Sequence, residues 1–373
     1  MINKKILAVT PYQPGKPIEE VKRQLGLQEV IKLASNENSL GASPKAVKAI
    51  KKALPKINRY PEGSCFYLRK RLSKSLKVTP QNLLFGNGSD EIIDIIIKAF
   101  CQEDDEVLTA DVTFLEYKII AQQNARRVRT VSLKDFRYDL SAIKAAINPK
   151  TKVIFIANPN NPTGTYLNKK EVEAFLESLP RHLVVVFDEA YFEFVEEHDF
   201  PHSLEYLKKG KNIIILRTFS KIFGLAGLRI GYAIAQEEFI GYMERARQPF
   251  NVNSLAQEAA AAALDDRVFI RRSKSLVEKG KKYLYAQFKK MGIPFIPSAA
   301  NFILFEVKQD GLALFNCLLK KGVIIRDMYQ YGLKHYMRVT VGTEKENKRF
   351  VQEFNGVLRG IKKYDYCIAS RNN

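Results

Sequence analysis

The spacing of apolar residues along this chain changes several times, and each change marks a structural element. Between about residues 80 and 235, short β-branched runs are almost continuously apolar: Leu83–Phe85, Val107–Thr109, Val153–Ala157, Leu183–Phe187, Ile213–Leu216 and Ile230–Ile234. Strands buried on both faces read this way. Between them apolar residues recur at helical spacing. Ile92, Ile93, Ile96, Ile97 and Phe100 follow the acidic first turn Asp90-Glu91, and Val172, Phe175, Leu176 and Leu179 form a second set. The alternation predicts an α/β fold with a mostly parallel central sheet flanked by helices. After about residue 255 the texture changes to an alanine run, a long basic helix and separate short strands at 302–307, 323–325 and 337–341. That pattern predicts a smaller α/β C-terminal domain.

Length and composition place few further limits. The 373 residues are 46% hydrophobic and 27% charged, enough for a large core and too apolar for extended disorder. The best apolar stretch, Ile92–Ile97, is short and broken by Asp94, so no membrane span is expected. Lys4, Lys5 and the run Ile6–Val9 are cut off by Thr10-Pro11-Tyr12 before a signal-peptide core is reached. Cys65, Cys101, Cys317 and Cys367 show no CxxC pairing, which points away from a disulfide framework or a zinc site and toward the cytoplasm. The net charge of +20 is unusual. Its lysines and arginines, however, are scattered as singles and pairs, and Lys45, Lys48 and Lys52 lie on a different helical face from Val47, Ile50 and Leu54. This is a solvated surface, not a nucleic-acid or membrane footprint.

The chemistry lies where buried strands end, as ligand sites do in open α/β sheets. Val153–Ala157 runs into Asn158-Pro159-Asn160-Asn161-Pro162-Thr163-Gly164, Leu183–Phe187 into Asp188-Glu189-Ala190-Tyr191, and Ile213–Leu216 into Arg217-Thr218-Phe219-Ser220-Lys221 with Gly224, Gly227 and Arg229 beyond. Each cluster alone also fits a turn, a helix cap or a solvated loop. One cofactor, pyridoxal phosphate, accounts for all three. Its aldehyde needs a lysine and its protonated ring nitrogen a carboxylate; its phenolic oxygen needs donors, and its phosphate needs arginine, hydroxyls and helix-terminal amides. Lys221, Asp188, Asn161 with Tyr191, and Arg229 with Thr218 and Ser220 meet these needs. Gly86-Asn87-Gly88-Ser89-Asp90, leading into a helix, offers the amides, with Asp90 expected to turn its carboxylate away from the phosphate. Phe114 is a candidate to stack on the ring.

These motifs resemble those of fold-type I pyridoxal-phosphate aminotransferases of the aspartate aminotransferase superfamily. Within it the chain is similar, nearly end to end, to the histidinol-phosphate aminotransferases. The likeness takes in Tyr12-Gln13-Pro14-Gly15-Lys16-Pro17, Ser35-Asn36-Glu37-Asn38, Arg59-Tyr60-Pro61, Gly86–Glu91, Pro249–Gln257 and Met337–Thr343. Ser39, Glu62 and Val112 depart from the usual pattern, and Val112 leaves the placement of Phe114 open.

The resemblance implies that Lys221 is the cofactor-bound lysine and moves the substrate's α-proton, with Asp188 and Tyr191 as its catalytic partners. The remaining cofactor ligands would be Gly88, Ser89, Asp90, Phe114, Asn161, Thr218, Ser220, Arg229 and, from a neighbouring subunit of a homodimer, Tyr60. Arg338 would grip a substrate carboxylate, and Tyr12, Asn36 and Arg326 complete the substrate set. The implied partners are histidinol phosphate and glutamate or 2-oxoglutarate, with no nucleic acid, membrane or metal. The implied layout is an N-terminal arm (1–34) packing with the small domain, a large cofactor-binding domain (35–254) and a small domain (255–373). Two other chemistries fit the same residues at this point: transfer from an aromatic amino acid, and a decarboxylation of the threonine-phosphate type.

Overall fold

The computed structural model describes residues 6–7 and 9–369, the side chains of 361–369 excepted. Lys4, Lys5 and Ala8 of the N-terminal stretch, and the side chain of Cys367, lie outside the described residues. The strands are β1 (Ile31–Lys32), β2 (Leu83–Gly86), β3 (Glu106–Ala110), β4 (Arg127–Val131), β5 (Thr151–Ala157), β6 (Val184–Asp188), β7 (Ile213–Thr218), β8 (Gly231–Ala235), β9 (Phe302–Glu306), β10 (Val323–Ile324), β11 (Arg326–Asp327) and β12 (Tyr336–Thr340).

Seven of them form the central sheet in the order β2-β8-β7-β6-β5-β3-β4. All neighbours are parallel except β8, which runs against both β2 and β7. Every residue of β2, β3, β6, β7 and β8 is buried, which explains their unbroken apolar runs. β4 has no such run. It is an edge strand in which Arg127 and Arg129 alternate with valines, and Arg129 pairs with Glu106 at 2.9 Å, so charge hid it in the sequence.

Register sets the site. Ala157 lies opposite Asp188 and Asp188 opposite Leu216, so the ends of β5, β6 and β7 are level and their loops leave the sheet together. Behind them the Ser89–Phe100 helix lays Ile92, Ile93, Ile96 and Ile97 on the sheet, with Gly88 as its N-cap.

The Ser254–Ala263 helix packs on the Pro44–Ala53 and Phe66–Leu76 helices. Ala256, Ala259, Ala260 and Ala263 are fully buried, and their small side chains allow this close approach. Beyond it, the long Arg267–Met291 helix and the Glu344–Ala369 helix cover the antiparallel sheet β11-β12-β9, with the Phe288 ring 4.8 Å from Phe305. β1 runs parallel to β10, which ties the N-terminal segment to these elements.

The loop after β5 meets the C-terminal elements at Gly164. Its φ is +75°, a Cβ there would come within 2.2 Å of Ser298 Oγ, and its carbonyl accepts from the Ala299 N–H at 2.8 Å. Gly164→Ala is expected to cost about 1–3 kcal/mol, combining left-handed strain with the clash. Thermal unfolding should show a fall of a few degrees in Tm; an unchanged Tm would mean that the contact bears no strain.

Candidate active site

The level strand ends open into a cavity of about 380 Å³. Of the residues singled out from the sequence, Tyr12, Asn36, Ser89, Asp90, Phe114, Asn161, Asp188, Tyr191, Thr218, Ser220, Lys221, Arg229 and Arg338 line it. Gly88, Tyr60 and Arg326 do not.

Asp188 closes β6 and is buried. Its carboxylate accepts from the Tyr117 hydroxyl at 2.6 Å and from the Ala190 N–H at 3.1 Å. Burial outweighs these bonds and pushes the carboxyl up to about 6. Tyr117 lies on the Glu116–Gln123 helix with its ring stacked 4.8 Å from Phe155, and the Phe114 ring meets its edge at 5.5 Å. Sequence reasoning missed Tyr117; its three-residue spacing from Phe114, one helical turn, was the only signal.

Lys221 follows β7 through a short turn in which the Ser220 N–H donates to Thr218 Oγ1 at 3.0 Å. Its Nζ donates to the Ser35 carbonyl at 3.3 Å. Desolvation, helped by the Arg338 charge, pulls the amine down to about 8.

Arg338 comes from β12 and is buried. One terminal nitrogen donates to Asn161 Oδ1, the other to the Ala34 carbonyl at 2.8 Å, and Nε has no partner. Asn161 therefore spends its oxygen on Arg338. Arg326 faces Arg338 across the β11–β12 pair. It donates to the Gln13 carbonyl at 2.7 Å and to Gln330 at 2.9 Å, with its guanidinium 5.6 Å from the Tyr12 ring centroid. Arg326 thus reaches the cavity wall only through Tyr12.

At the opposite end the Gly88 turn leads into the Ser89–Phe100 helix. Gly88 has φ +86°, and a Cβ there would lie 2.6 Å from a nitrogen of Arg229. The expected turning-away of Asp90 is not what the structure holds: its carboxylate pairs with Arg229 at 2.9 Å. Both side chains are partly exposed and opposite in charge, so they meet at the cavity edge. Glu91 is the carboxylate that turns away, accepting from the Asn87 N–H and from Asn251. Tyr60 is 83% exposed and stacks on Phe250 with ring centroids 5.0 Å apart.

The donor set fits pyridoxal phosphate on this geometry. An unpartnered buried guanidinium nitrogen, a helix terminus whose glycine leaves room only for an arginine, a buried carboxylate and a depressed lysine share one cavity.

The profile of the family "Aminotransferase class I and II" matches residues 28–354. A protein of Moorella thermoacetica named histidinol-phosphate aminotransferase is 47% identical over 95% of this chain and 92% of its own length. Histidinol-phosphate aminotransferase 2 of Carboxydothermus hydrogenoformans is 45% identical over 96% of this chain and 99% of its own. Among solved structures, the histidinol-phosphate aminotransferase of Sinorhizobium meliloti in complex with pyridoxal-5'-phosphate superposes with a TM-score of 0.89. It is 26% identical and covers 96% of this chain and 98% of its own.

The cavity's electrostatics give a direct expectation. Only a neutral amine reacts with an acylating reagent, so in protein stripped of small molecules Lys221 should be labelled with a pH midpoint near 8. Arg338→Leu removes a repelling charge and should move that midpoint upward. Peptide mapping against pH checks both; a midpoint near that of the exposed lysines would contradict the placement of Lys221.

Proposed function

The chain belongs to the aminotransferase class I and II family, and from that premise we propose that it exchanges an amino group between L-histidinol phosphate and 2-oxoglutarate. The products are imidazole-acetol phosphate and L-glutamate, the cofactor is pyridoxal phosphate, and the setting is histidine biosynthesis. The observation that carries this reading is the cavity at the strand ends, where a depressed lysine, a buried carboxylate and an unpartnered arginine nitrogen converge. The names of full-length relatives narrow the substrate.

When bound, pyridoxal phosphate supplies an aldehyde to carry the amino group and a ring that takes up the electron pair left at the substrate's α-carbon. Lys221 takes the α-proton; an amine lowered to about 8 is partly neutral near physiological pH and serves as a base. Asp188, held by Tyr117 and the Ala190 amide, would meet the ring nitrogen, and a cation there would favour its ionised form. Asn161 would offer its NH₂ and Tyr191 its hydroxyl to the phenolic oxygen, and Phe114 would cover the ring. The Gly88, Ser89 and Asp90 amides, Thr218, Ser220 and Arg229, which now pairs with Asp90, would hold the phosphate.

Arg338 grips glutamate's carboxylate or histidinol phosphate's phosphate, with Tyr12, Asn36 and Arg326 around it. Arg326 matters more for the phosphate, which has a third oxygen and more charge. A charge-assisted hydrogen bond contributes about 1.5–3 kcal/mol, so Arg326→Ala should lower kcat/KM for histidinol phosphate roughly ten- to a hundredfold and for glutamate less. A donor panel of histidinol phosphate, glutamate, phenylalanine, tyrosine and aspartate checks both points. Preference for an aromatic donor, equal losses for both substrates, or release of carbon dioxide would each overturn the substrate assignment.

We place the domain junction at Asp266, after the alanine-rich helix, with the arm attached to the small domain through β1–β10. The active unit is a homodimer in the cytoplasm. Among the described residues no helix is long and apolar enough to cross a membrane. Exposed aromatic pairs, Tyr60 on Phe250 and Phe66 on Tyr67, support a surface for a second copy. Tyr60 on that face serves the neighbouring cofactor's phosphate. Mixing inactive Tyr60→Ala and Lys221→Ala dimers under subunit exchange should restore activity, because one site of each hybrid carries neither lesion. A mixture that stays inactive despite proven exchange would place Tyr60 outside the neighbouring site.

A further inference from the structure

Asn36 precedes the large domain's first helix and is held in the left-handed region at φ +55° with 1% exposure. Its polar atoms are all engaged. The side-chain Nδ2 donates to the Tyr191 hydroxyl oxygen at 2.9 Å. The backbone N–H donates to Thr340 Oγ1 at 2.9 Å, and the Thr340 hydroxyl donates to Asn36 Oδ1 at 3.2 Å. Asn301 Nδ2 donates to the Asn36 carbonyl at 3.1 Å.

The direction of each bond follows from the inventory of donors and acceptors. Thr340 Oγ1 already accepts the Asn36 N–H, so its single proton must find an acceptor, and the only Asn36 side-chain atom able to accept is Oδ1. A carboxamide with its oxygen on Thr340 presents its NH₂ to Tyr191. The reversed carboxamide would set two donors against Thr340 and leave its proton without an acceptor, a costly arrangement where Thr340 is 2% exposed. Tyr191 then accepts from Asn36, and its own proton is free to point into the cavity that it lines.

We infer that Thr340, which does not line the cavity, is a positioning residue for amino transfer: it fixes the Asn36 carboxamide and so makes Tyr191 a hydrogen-bond donor toward the cavity. The inference deepens the proposed function and rests on its reading that Tyr191 meets the cofactor's phenolic oxygen. Thr340 ends β12, two residues beyond Arg338, so the relay is carried by the same strand as the anion grip. Loss of the Thr340 hydroxyl frees the carboxamide to rotate, and Tyr191 can then donate to Asn36 instead.

The test is a pH titration of the visible absorbance of the cofactor-loaded protein, read beside kcat. A donor on the phenolic oxygen withdraws electron density and makes the bound chromophore a stronger acid, so losing it raises the midpoint. Tyr191→Phe should raise it. Thr340→Val should raise it by about half a unit to one unit, a three- to tenfold change in the proton equilibrium, with kcat falling by a similar factor. Thr340→Ser keeps the oxygen and should retain the original midpoint. In a Tyr191→Phe background, Thr340→Val should shift the midpoint no further. A purely structural role for Thr340 predicts the same shift in both backgrounds and overturns the inference, as does a Thr340→Val midpoint that stays in place while Tyr191→Phe moves it. If Tyr191→Phe itself leaves the midpoint unmoved, the reading of Tyr191 fails and the relay fails with it.

Discussion

The buried guanidinium of Arg338 is the interaction on which the site's assembly depends. Placing a cation away from water costs several kcal/mol unless acceptors replace the lost hydration. Here the acceptors come from two distant segments: the Asn161 oxygen after β5 and the Ala34 carbonyl at the end of the N-terminal arm. Satisfying one side chain of β12 therefore requires the segment after β1, the loop after β5 and the β11-β12-β9 sheet to be in place together. Burial pulls the Lys221 amine down and pushes the Tyr191 hydroxyl up; the Arg338 charge adds to the first shift and offsets part of the second. Removal of Arg338 thus disturbs proton positions at Lys221 and Tyr191 as well as the contact between distant segments.

Burial brings the two central titratable groups toward neutrality from opposite sides. Asp188 rises to about 6 and Lys221 falls to about 8, each with desolvation as the largest cause. Neither is paired with the other as a salt bridge. Each is therefore available to a group carrying opposite polarity along its own length: a cationic ring nitrogen at Asp188 and an electrophilic carbon at Lys221. A second buried pair stiffens the frame behind them. Glu189 and Arg217, the residues adjoining Asp188 and Thr218, join β6 to β7 at 2.7 Å on the other face of the sheet. Phe192 lies against the Arg217 guanidinium at 3.8 Å from its ring centroid.

How much of this was legible in the sequence depended on the physical signal of each part. Strands buried on both faces write continuous apolar runs, so six strands of the central sheet could be placed within a residue or two of their ends. The edge strand β4, with two arginines, wrote none. The polar clusters were legible because strand order and register follow from alternating β and α elements, and parallel strands end on one edge. Contacts between distant segments were not. Tyr117 beneath Asp188, and Thr340 behind Asn36, are ordinary residues whose meaning lies in where a helix or another domain's strand sets them down. Pairing of Asp90 with Arg229 was missed for a related reason: helix phase shows which way a residue leaves the helix, but not which charge is waiting there. The alanine-rich helix shows a further limit of the sequence: a run of small residues marks close packing without naming the neighbour.

The pairing of β11 with β12 places Arg326 directly opposite Arg338. Like charges at facing positions of an antiparallel pair are unfavourable, and both residues are buried. The structure separates their loads. Arg326 is drawn outward by the Gln13 carbonyl and Gln330, while Arg338 is drawn inward by Asn161 and Ala34, leaving its Nε open. Tyr12 stands against Arg326 and lines the cavity, so the second guanidinium lies one aromatic ring away from the space that Arg338 lines. A monoanionic carboxylate needs one such fork; a phosphate, with more charge and a third oxygen, is served by two. The tension between neighbouring cations is relieved most by a ligand that carries much negative charge, which supports the proposed reading of this end of the cavity as a place for a phosphate.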